Sequence, residues 1–268
     1  MKRFLILLLL AWPTMGWGVS DSCQMQDTTN RPAYAVCDAN CISKGSSTCD
    51  SANYGGDVGN VGLYVSATSD KTIVRWPGLY RLGIDSGVTA AEVDSGHLML
   101  NCWQHYAGAG DSVIIVKYIT ENWTEGSGDG AGTCQDAAAD STGSAWYRRL
   151  GYVTGGTAWT TAGCGSGSQS SKTDDTTKVT ATSAWYTWTI SKAACSTWVA
   201  DSTLNYGMVV QNDADDADAK VFRTDDYAVT PTLRPKFTLY WTDGAPAATP
   251  LVIGGSVVIG GNVVIGGK

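Results

Sequence analysis

Short apolar runs recur along the chain, bounded by Gly, Asp, Asn and Ser, and in several of them inward-facing and outward-facing residues alternate. In the stretch 97–103, Leu98, Leu100 and Cys102 alternate with four residues that would face outward, the period of two that sends successive side chains to opposite faces of a strand. Similar runs lie at Val61–Val65, Leu79–Ile84, Val113–Ile119, Ala184–Ile190, Tyr206–Val210 and Phe237–Trp241. Many short strands with turn residues between them predict an all-β fold, an antiparallel β-sandwich of the jelly-roll kind.

Long loops and one short helix complete the predicted body. Gly126–Gly132 and Gly163–Ser171 are Gly/Ser-rich stretches that flank a segment with several Trp and Tyr residues. Insertions of this length in a compact domain usually have a functional role or are mobile. Residues Lys192–Val199 predict a short helical turn.

The first residues have the pattern of a secretory signal. Two basic residues precede the apolar run Phe4–Ala11, and Trp12, Pro13 and small residues follow, as in a charged region, an apolar region and a cleavage site. The run is too short for a membrane anchor, which needs roughly 20 apolar residues. We expect cleavage after Gly18, with cleavage after Ser20 as the alternative. A signal at 1–18 predicts a secreted protein, extracellular or at a cell surface, with no membrane span.

The C-terminal segment 245–268 has a different pattern from the body, which is predicted to occupy 19–244. A Pro-containing linker leads into a repeat of period six, V-I-G-G, which begins at Val252, Val258 and Val264. It resembles the hexapeptide pattern of left-handed β-helices, but it has too few units to close a solenoid. An exposed apolar strand of this kind is a pairing site. We expect residues 251–268 to pair either with an edge of their own sheet or with a neighbouring subunit.

Composition narrows the function further. The chain has 18 Lys+Arg against 25 Asp+Glu, a formal charge of −7, and an acidic chain is a poor partner for nucleic acid. Trp and Tyr number 11 and 12 against 3 Phe. Their rings carry a polar tip on an apolar body, which suits half-exposed positions.

All eight cysteines follow the predicted signal. An even number of cysteines in a secreted chain indicates disulfides rather than zinc. Cys37 and Cys41 have a ligand-like spacing, but no second close pair completes four ligands. We expect disulfides between Cys41 and Cys49 and between Cys134 and Cys164, because each pair brackets a Gly/Ser-rich loop.

Short motifs follow one another in a recognisable order. They are D-A-N-C-I-S at 38–43, N-Y-G at 53–55, L-Y-R-L-G-I-D at 79–85, the stretch 90–100, I-T-E-N-W-T-E at 119–125, W-T-I-S at 188–191, N-Y-G at 205–207, F-R-T-D-D at 222–226 and R-P-K-F at 234–237. Together they resemble the DNRLRE-domain family, also met as disaggregatase-related repeats and carbohydrate-binding modules. The six-letter motif that names the family is absent, and Gly83 and Thr189 stand where Asp is usual.

The resemblance implies a β-sandwich, usually extracellular, that has no catalysis of its own. Such domains are often appended to polysaccharide-degrading enzymes or stand in surface proteins.

The residues give little support for catalysis. The only histidines, His97 and His105, lie about 26 Å apart on a regular strand, so they cannot share one site with a nucleophile. No phosphate loop, dinucleotide fingerprint or metalloprotease motif is present. A glycan-active enzyme that uses only carboxylates stays open, because the separation of a carboxylate pair is a property of the fold. We expect no catalytic residues.

One acidic loop is a candidate calcium site. It holds Asp213, Asp215, Asp216 and Asp218, and calcium prefers several oxygen ligands. The loop lacks the spacing of an EF-hand, and an acidic loop is usually only solvated. We expect no obligatory cofactor, with Ca²⁺ as the ion to test.

The tryptophans divide into two groups. Four are at strand or family-matching positions and are expected to be structural: Trp123, Trp188, Trp198 and Trp241. Four further aromatic residues lie on an outward face or in the inserted segment: Trp103, Trp146, Tyr147 and Trp159. A flat exposed ring can contact the apolar face of a sugar. These four are the predicted carbohydrate-binding residues, unless they simply pack the loops onto the sheet.

The sequence thus predicts a secreted, non-catalytic β-sandwich that binds extracellular polysaccharide. The alternative is a structural subunit of an extracellular fibre, surface appendage or virion that assembles through its C-terminal tail.

Overall fold

The computed structural model describes residues 20–26, 37–43, 63–65, 70–106, 110–125, 143–144, 146–150, 156–213, 219–225, 227, 229–242, 251–253, 257–260 and 262–263. The strands are β1 (Ser20–Gln26), β2 (Asp38–Ser43), β3 (Leu63–Val65), β4 (Asp70–Arg75), β5 (Val93–Tyr106), β6 (Ser112–Tyr118), β7 (Arg148–Leu150), β8 (Thr157–Ala158), β9 (Asp175–Val179), β10 (Ala184–Ile190), β11 (Met208–Asn212), β12 (Ala219–Phe222), β13 (Lys236–Thr242), β14 (Leu251–Ile253), β15 (Val257–Gly260) and β16 (Asn262–Val263). The helices are α1 (Leu79–Ser86) and α2 (Lys192–Ala200), with short 3-10 helices at Ser202–Leu204 and Pro231–Leu233. The chain divides into two compact units, 22–241 and the two terminal segments 1–21 with 242–268.

A six-stranded sheet is built around the long strand β5. Its order is β1-β13-β5-β12-β3, and β10 also pairs with β5. Along one edge, β5 pairs with β10 from Gly96 to Cys102. Along the other edge, its first half pairs with β13 and its second half with β12. One strand of fourteen residues therefore organises three antiparallel partners.

A five-stranded antiparallel sheet, in the order β2-β4-β11-β6-β9, lies against the first. The main hydrophobic core takes buried side chains from both sheets, such as Leu98 and Leu100 of β5 and Val116 of β6. The indole Nε1 of Trp188 in the first sheet donates to the carbonyl of Ile114 in the second at 3.0 Å. Two antiparallel sheets that face each other across a shared core confirm the predicted all-β sandwich.

The five-stranded sheet is covered on its outer face too. Ile42, Ile73 and Val209 point away from the main core into a second cluster, which three residues of the following loops complete: Trp123, Trp159 and Cys164. We call these packed loop segments, 119–125 and 156–170, the loop layer. Because both faces are buried, central strands of this sheet are apolar without alternation, as in Val209 and Val210.

The predicted strand at Leu79–Ile84 is wrong, because these residues form helix α1. Leu79 and Leu82 are buried in the main core, whereas Tyr80 and Ile84 are exposed. The spacing of three between the two leucines therefore marks the buried face of a helix. The alternation through Tyr80, Leu82 and Ile84 does not correspond to a strand. Gly87, in the left-handed region with φ of 72°, follows the last residue of the helix.

Helix α2 confirms the predicted turn at Lys192–Val199 and extends it by one residue. Ser191 caps its first turn, since the serine side chain accepts from the Ala194 N–H. The buried face of α2 carries Ala194, Cys195, Trp198 and Val199. Neither helix in the described ranges is long and apolar enough to cross a membrane.

In the tail, β14, β15 and β16 form a three-stranded antiparallel sheet of their own. Leu251 pairs with Ile259, and Ile259 also pairs with Val263. The predicted signal at 1–18 lies outside the described residues.

Candidate binding face

The outer face of the six-stranded sheet is set by the alternation along β5. Leu98 and Leu100 are fully buried in the core, so His97, Met99 and Trp103 are directed to the opposite side. Neighbouring strands continue this face in register. Lys236 of β13 is paired with Met99, and Trp185 of β10 is paired with Asn101, so these side chains lie on the outer face as well.

A lysine on this face crosses the central strand to reach a tryptophan. The Nζ atom of Lys236 lies 4.2 Å from the ring centroid of Trp185, although β13 and β10 are on opposite sides of β5. Burial lowers the pKa of the Lys236 ammonium from its usual value. A partly desolvated cation over an indole ring is the favourable cation–π arrangement.

An arginine is held between two rings at the far end of the same strand. The guanidinium carbon of Arg223 lies 4.5 Å from the ring centroid of Trp103 and 4.0 Å from that of Tyr227. The backbone N–H of Arg223 donates to the Asn101 carbonyl at 3.0 Å, which ties this segment to β5. Two rings and a backbone hydrogen bond therefore limit the freedom of a side chain that is otherwise flexible.

At the other end of β5, the rings of His97 and Tyr240 are in contact, with centroids 4.6 Å apart. We call the whole set the aromatic–cationic row: His97, Trp103, Trp185, Arg223, Tyr227, Lys236 and Tyr240. From His97 to Trp103 the strand advances six residues, or about 20 Å. The row is thus long enough for an extended ligand rather than a single small molecule.

The cations of the row have no carboxylate partner within the described chain. The ion pairs found there are Arg75 with Asp38 and Lys178 with Asp111, and both lie away from this face. The Nε atom of Arg223 is buried and makes no hydrogen bond to a described residue. Among the described residues, neither of these two cations forms an ion pair, in a chain whose net charge is −7.

This arrangement suits a ligand that carries anionic groups. A guanidinium whose plane is fixed by rings offers paired N–H donors with the spacing of a carboxylate or sulfate. Most members of the row are half-buried, and Tyr227 is 8% exposed, so ring edges and cationic heads are available more than open ring faces. The chemistry of the row is therefore salt bridging and hydrogen bonding, supported by aromatic contacts.

The four predicted carbohydrate-binding residues are not gathered at one site. Trp103 belongs to the row, and Tyr147 is 49% exposed on a separate loop. Trp146 and Trp159 are 8% and 4% exposed, so little of either ring is open to a sugar in this structure. Trp159 packs in the second cluster on the five-stranded sheet. The ring of Trp146 lies against Gly163 of the loop layer, and the Nζ atom of Lys71 of β4 is 5.8 Å from its centroid.

The tryptophans expected to be structural are so. All four are buried: Trp123 and Trp188 fully, Trp198 at 2% and Trp241 at 6% exposure. Trp123 also donates from Nε1 to the Tyr206 carbonyl at 2.7 Å, which joins the loop layer to the sheet.

The predicted calcium loop lies mostly outside the described residues. Asp215, Asp216 and Asp218 are among those not described, and Asp213 is exposed with its N–H bonded to the Val113 carbonyl at 2.9 Å. Within the described part of the chain, no group of three or more His, Cys, Asp or Glu side chains is placed to hold a metal ion. The calcium site stays a prediction.

The predicted disulfides also involve residues that are not described, Cys49 and Cys134. The thiol of Cys164, the predicted partner of Cys134, donates to the Ser168 carbonyl at 3.8 Å. Burial raises the pKa of Cys164 to about 12 and that of Cys102 to about 11. Burial raises the pKa of Cys195 as well.

The fold and this face define an antiparallel β-sandwich protein with a row of aromatic and cationic side chains on one sheet. Neither a family model nor a curated protein matches the chain.

Six members of the row were not among the predicted site residues. Trp185 lies in a predicted strand, and Lys236 immediately precedes another, at 237–241. The register that brings them together across β5 is not visible in one sequence, because it depends on which strands become neighbours.

Proposed function

We propose that this chain is a secreted, non-catalytic β-sandwich protein that binds extracellular polysaccharide, and that the aromatic–cationic row is its binding face. The observation that carries the proposal is the sandwiched Arg223, held between Trp103 and Tyr227 without a carboxylate partner among the described residues. The ordered motifs that resemble the DNRLRE-domain family point to the same function.

The row favours an acidic polysaccharide, with uronate or sulfate groups, over a neutral one. Arg223 and Lys236 are separated along the sheet, so they can engage anionic groups on successive residues of one polymer. Burial of part of each cation strengthens such contacts, because the local dielectric is lower than that of water. The net negative charge of the chain repels a polyanion. Arg223 and Lys236 of the row would attract it locally.

Affinity electrophoresis against polygalacturonate, dextran sulfate and uncharged dextran tests the proposal. The wild-type protein should be retarded by at least one of the acidic polymers, and less so as salt is raised. Arg223→Gln and Lys236→Gln should each weaken this binding about tenfold or more, the range of a charge-assisted hydrogen bond. Arg223→Lys keeps the charge but loses the planar donor pair, so it should bind less well than wild type.

Arg81→Gln is the matched control, since Arg81 is an exposed cation on α1 and not a member of the row. It makes the same change in net charge and should leave binding unaltered. If Arg81→Gln and Arg223→Gln weaken binding equally, the row is not the site. If wild type binds none of the acidic polymers, the preference for anionic ligands is wrong.

Assembly through the tail is the second candidate function. The strands β14, β15 and β16 have three, four and two residues, and a sheet so short is marginally stable alone. Pairing with the tail of another copy would extend it. Sedimentation of the full chain and of a chain lacking 245–268 separates the two ideas: a fibre subunit loses its assemblies on deletion, whereas a full chain that stays monomeric at high concentration contradicts the assembly function.

A further inference from the structure

A groove runs beside helix α2, apart from the aromatic–cationic row. It consists of two adjoining cavities of about 250 Å³ and 350 Å³. Tyr118, at the end of β6, and Ala193, on the exposed side of α2, line both cavities. None of the residues that line the groove belongs to the row.

The first cavity forms an apolar arm of the groove. Tyr118, Trp198, Leu204 and Tyr206 line it. Tyr118 packs partly on the main core and Tyr206 partly on the second cluster, so each ring is fixed on one side while it borders the cavity. Leu204 is 45% exposed and forms the outer rim.

The second cavity forms a polar arm, lined by the segment 170–174 together with Ser191. Hydrogen bonds attach this segment to the neighbouring strand β6: Ser170 N–H donates to the Tyr118 carbonyl, and Asp174 N–H to the Val116 carbonyl, both at 2.8 Å. The polar groups of the arm are therefore held on a rigid sheet edge rather than on a free loop.

Asp174 borders the polar arm. Its Oδ1 accepts from the Ser191 N–H at 3.1 Å, while its Oδ2 is buried and has no hydrogen-bond donor among the described residues. A buried carboxylate oxygen without a donor is costly. Lys172, two residues away, is exposed, so the arm offers one charge of each sign along with several hydroxyl groups.

We propose that this groove binds a neutral sugar residue, as a second glycan site independent of the row. A pyranose ring has an apolar face that suits the Tyr118 and Tyr206 arm, and hydroxyl groups that suit the mixed donors and acceptors of the polar arm. A charged ligand is disfavoured because Lys172 and Asp174 offset each other. The inference extends the proposed glycan binding to a different ligand class, and it stands or falls on different residues.

Saturation-transfer NMR and calorimetry with a panel of methyl glycosides of glucose, galactose, mannose and xylose, and their disaccharides, test the site. At least one probe should bind wild type. Ala193→Trp should weaken that binding tenfold or more, because an indole at the shared position fills both cavities. Ala200→Trp is the matched control: Ala200 is also exposed on α2 but does not line the groove, and its variant should bind as wild type does.

Arg223→Gln is the second variant, since it removes a cation of the row, which lies outside the groove. It should leave binding of the neutral probe unchanged. The inference is overturned if no glycoside binds wild type, or if Ala193→Trp binds as well as Ala200→Trp. Retention of acidic-polymer binding in that case leaves the row intact, so failure of the groove and failure of the proposed function are distinguishable.

Discussion

Gly96 of β5 faces the main core, between strand β13 and helix α2. A Cβ atom added there would lie 2.3 Å from Phe237 Cζ and 2.8 Å from Cys195 Sγ. Phe237 is fully buried and contacts the rings of Trp76 and Trp198. The ring therefore has no free space into which it can withdraw.

Gly96→Ala should lower the free energy of unfolding by about 1–3 kcal/mol, the usual range for an overpacked core. Where an added methyl fits, Gly→Ala stabilises a protein by about 0.4–1 kcal/mol through the unfolded chain, so the sign of the change is informative. Urea unfolding of wild type, Gly96→Ala and the neighbouring control Ser95→Ala measures it. Unchanged or higher stability of Gly96→Ala would contradict the close approach.

Buried thiols of raised pKa should be unreactive in the folded protein. Cys102 and Cys195 are fully buried, and burial raises the pKa of both, in Cys102 to about 11, so little thiolate forms at pH 8. Neither residue forms a disulfide in the described chain. An alkylating reagent at pH 8 should label them only after denaturation.

Mass mapping after alkylation of the denatured, unreduced protein checks this outcome. Cys102 and Cys195 should each carry the label, and an unlabelled residue of the two would contradict their assignment as thiols. The same map tests the sequence-based disulfides, since a peptide that joins Cys134 to Cys164 would appear cross-linked.

At the scale of elements, the loop layer is anchored by a carboxylate. Glu121 accepts from the Thr160 backbone N–H at 3.0 Å and from the Thr160 hydroxyl. Burial alone would raise the pKa of Glu121, but the hydrogen bonds from Thr160 and Ser168 outweigh it and hold the pKa below its usual value. The ionised form is thus favoured in the folded state.

The free energy of unfolding should therefore decrease as the pH is lowered into the acid range. Because the pKa of Glu121 is depressed on folding, its contribution is present above the unfolded value and is lost as the pH drops through the folded one. Glu121→Gln should flatten this part of the acid dependence of the urea midpoint, whereas Asp85→Asn, an exposed carboxylate on α1, should not. Parallel acid profiles of wild type and Glu121→Gln would contradict the anchoring role.

Strands with one solvated face could be predicted from the sequence, because their side chains alternate between core and solvent. Helix α1 could not be distinguished from a strand in the same way. The alternation through 97–103 located β5, and the run at 184–190 coincides with β10. The segment 79–84 supported both a period of two and a spacing of three. Packing against the core selected the helix, which no local pattern could decide.

The row was harder to predict than the fold. Trp103 was identified because it lies on an outward face, but Trp146 and Trp159 were not separable from it by composition. Trp159 is buried where the loop layer covers the five-stranded sheet, and Trp146 where its ring meets Gly163 of that layer. Both contacts join segments that are distant from the sheet in sequence. Arg223 shows no local signal, since its role comes from Trp103 of the adjacent strand.

At the scale of the molecule, the tail and the body are separate units. Deletion of 245–268 should therefore leave the free energy of unfolding of the body within about 0.5 kcal/mol of the full chain, as for changes away from packed features. Urea unfolding followed by tryptophan fluorescence reports mainly on the body, because nine of the 11 tryptophans lie in 22–241 and none lies in 245–268. A markedly less stable deletion protein would show that the tail supports the sandwich.

The pairing of β13 with both β1 and β5 also sets the order in which the chain can fold during synthesis. The six-stranded sheet cannot close until residues 236–242 have left the ribosome, because they supply the strand between the first strand and the longest one. Nearly the whole body is then made before this sheet can be completed. The last strand of the body to be synthesised is thus also the one that joins its first strand to the rest of the sheet.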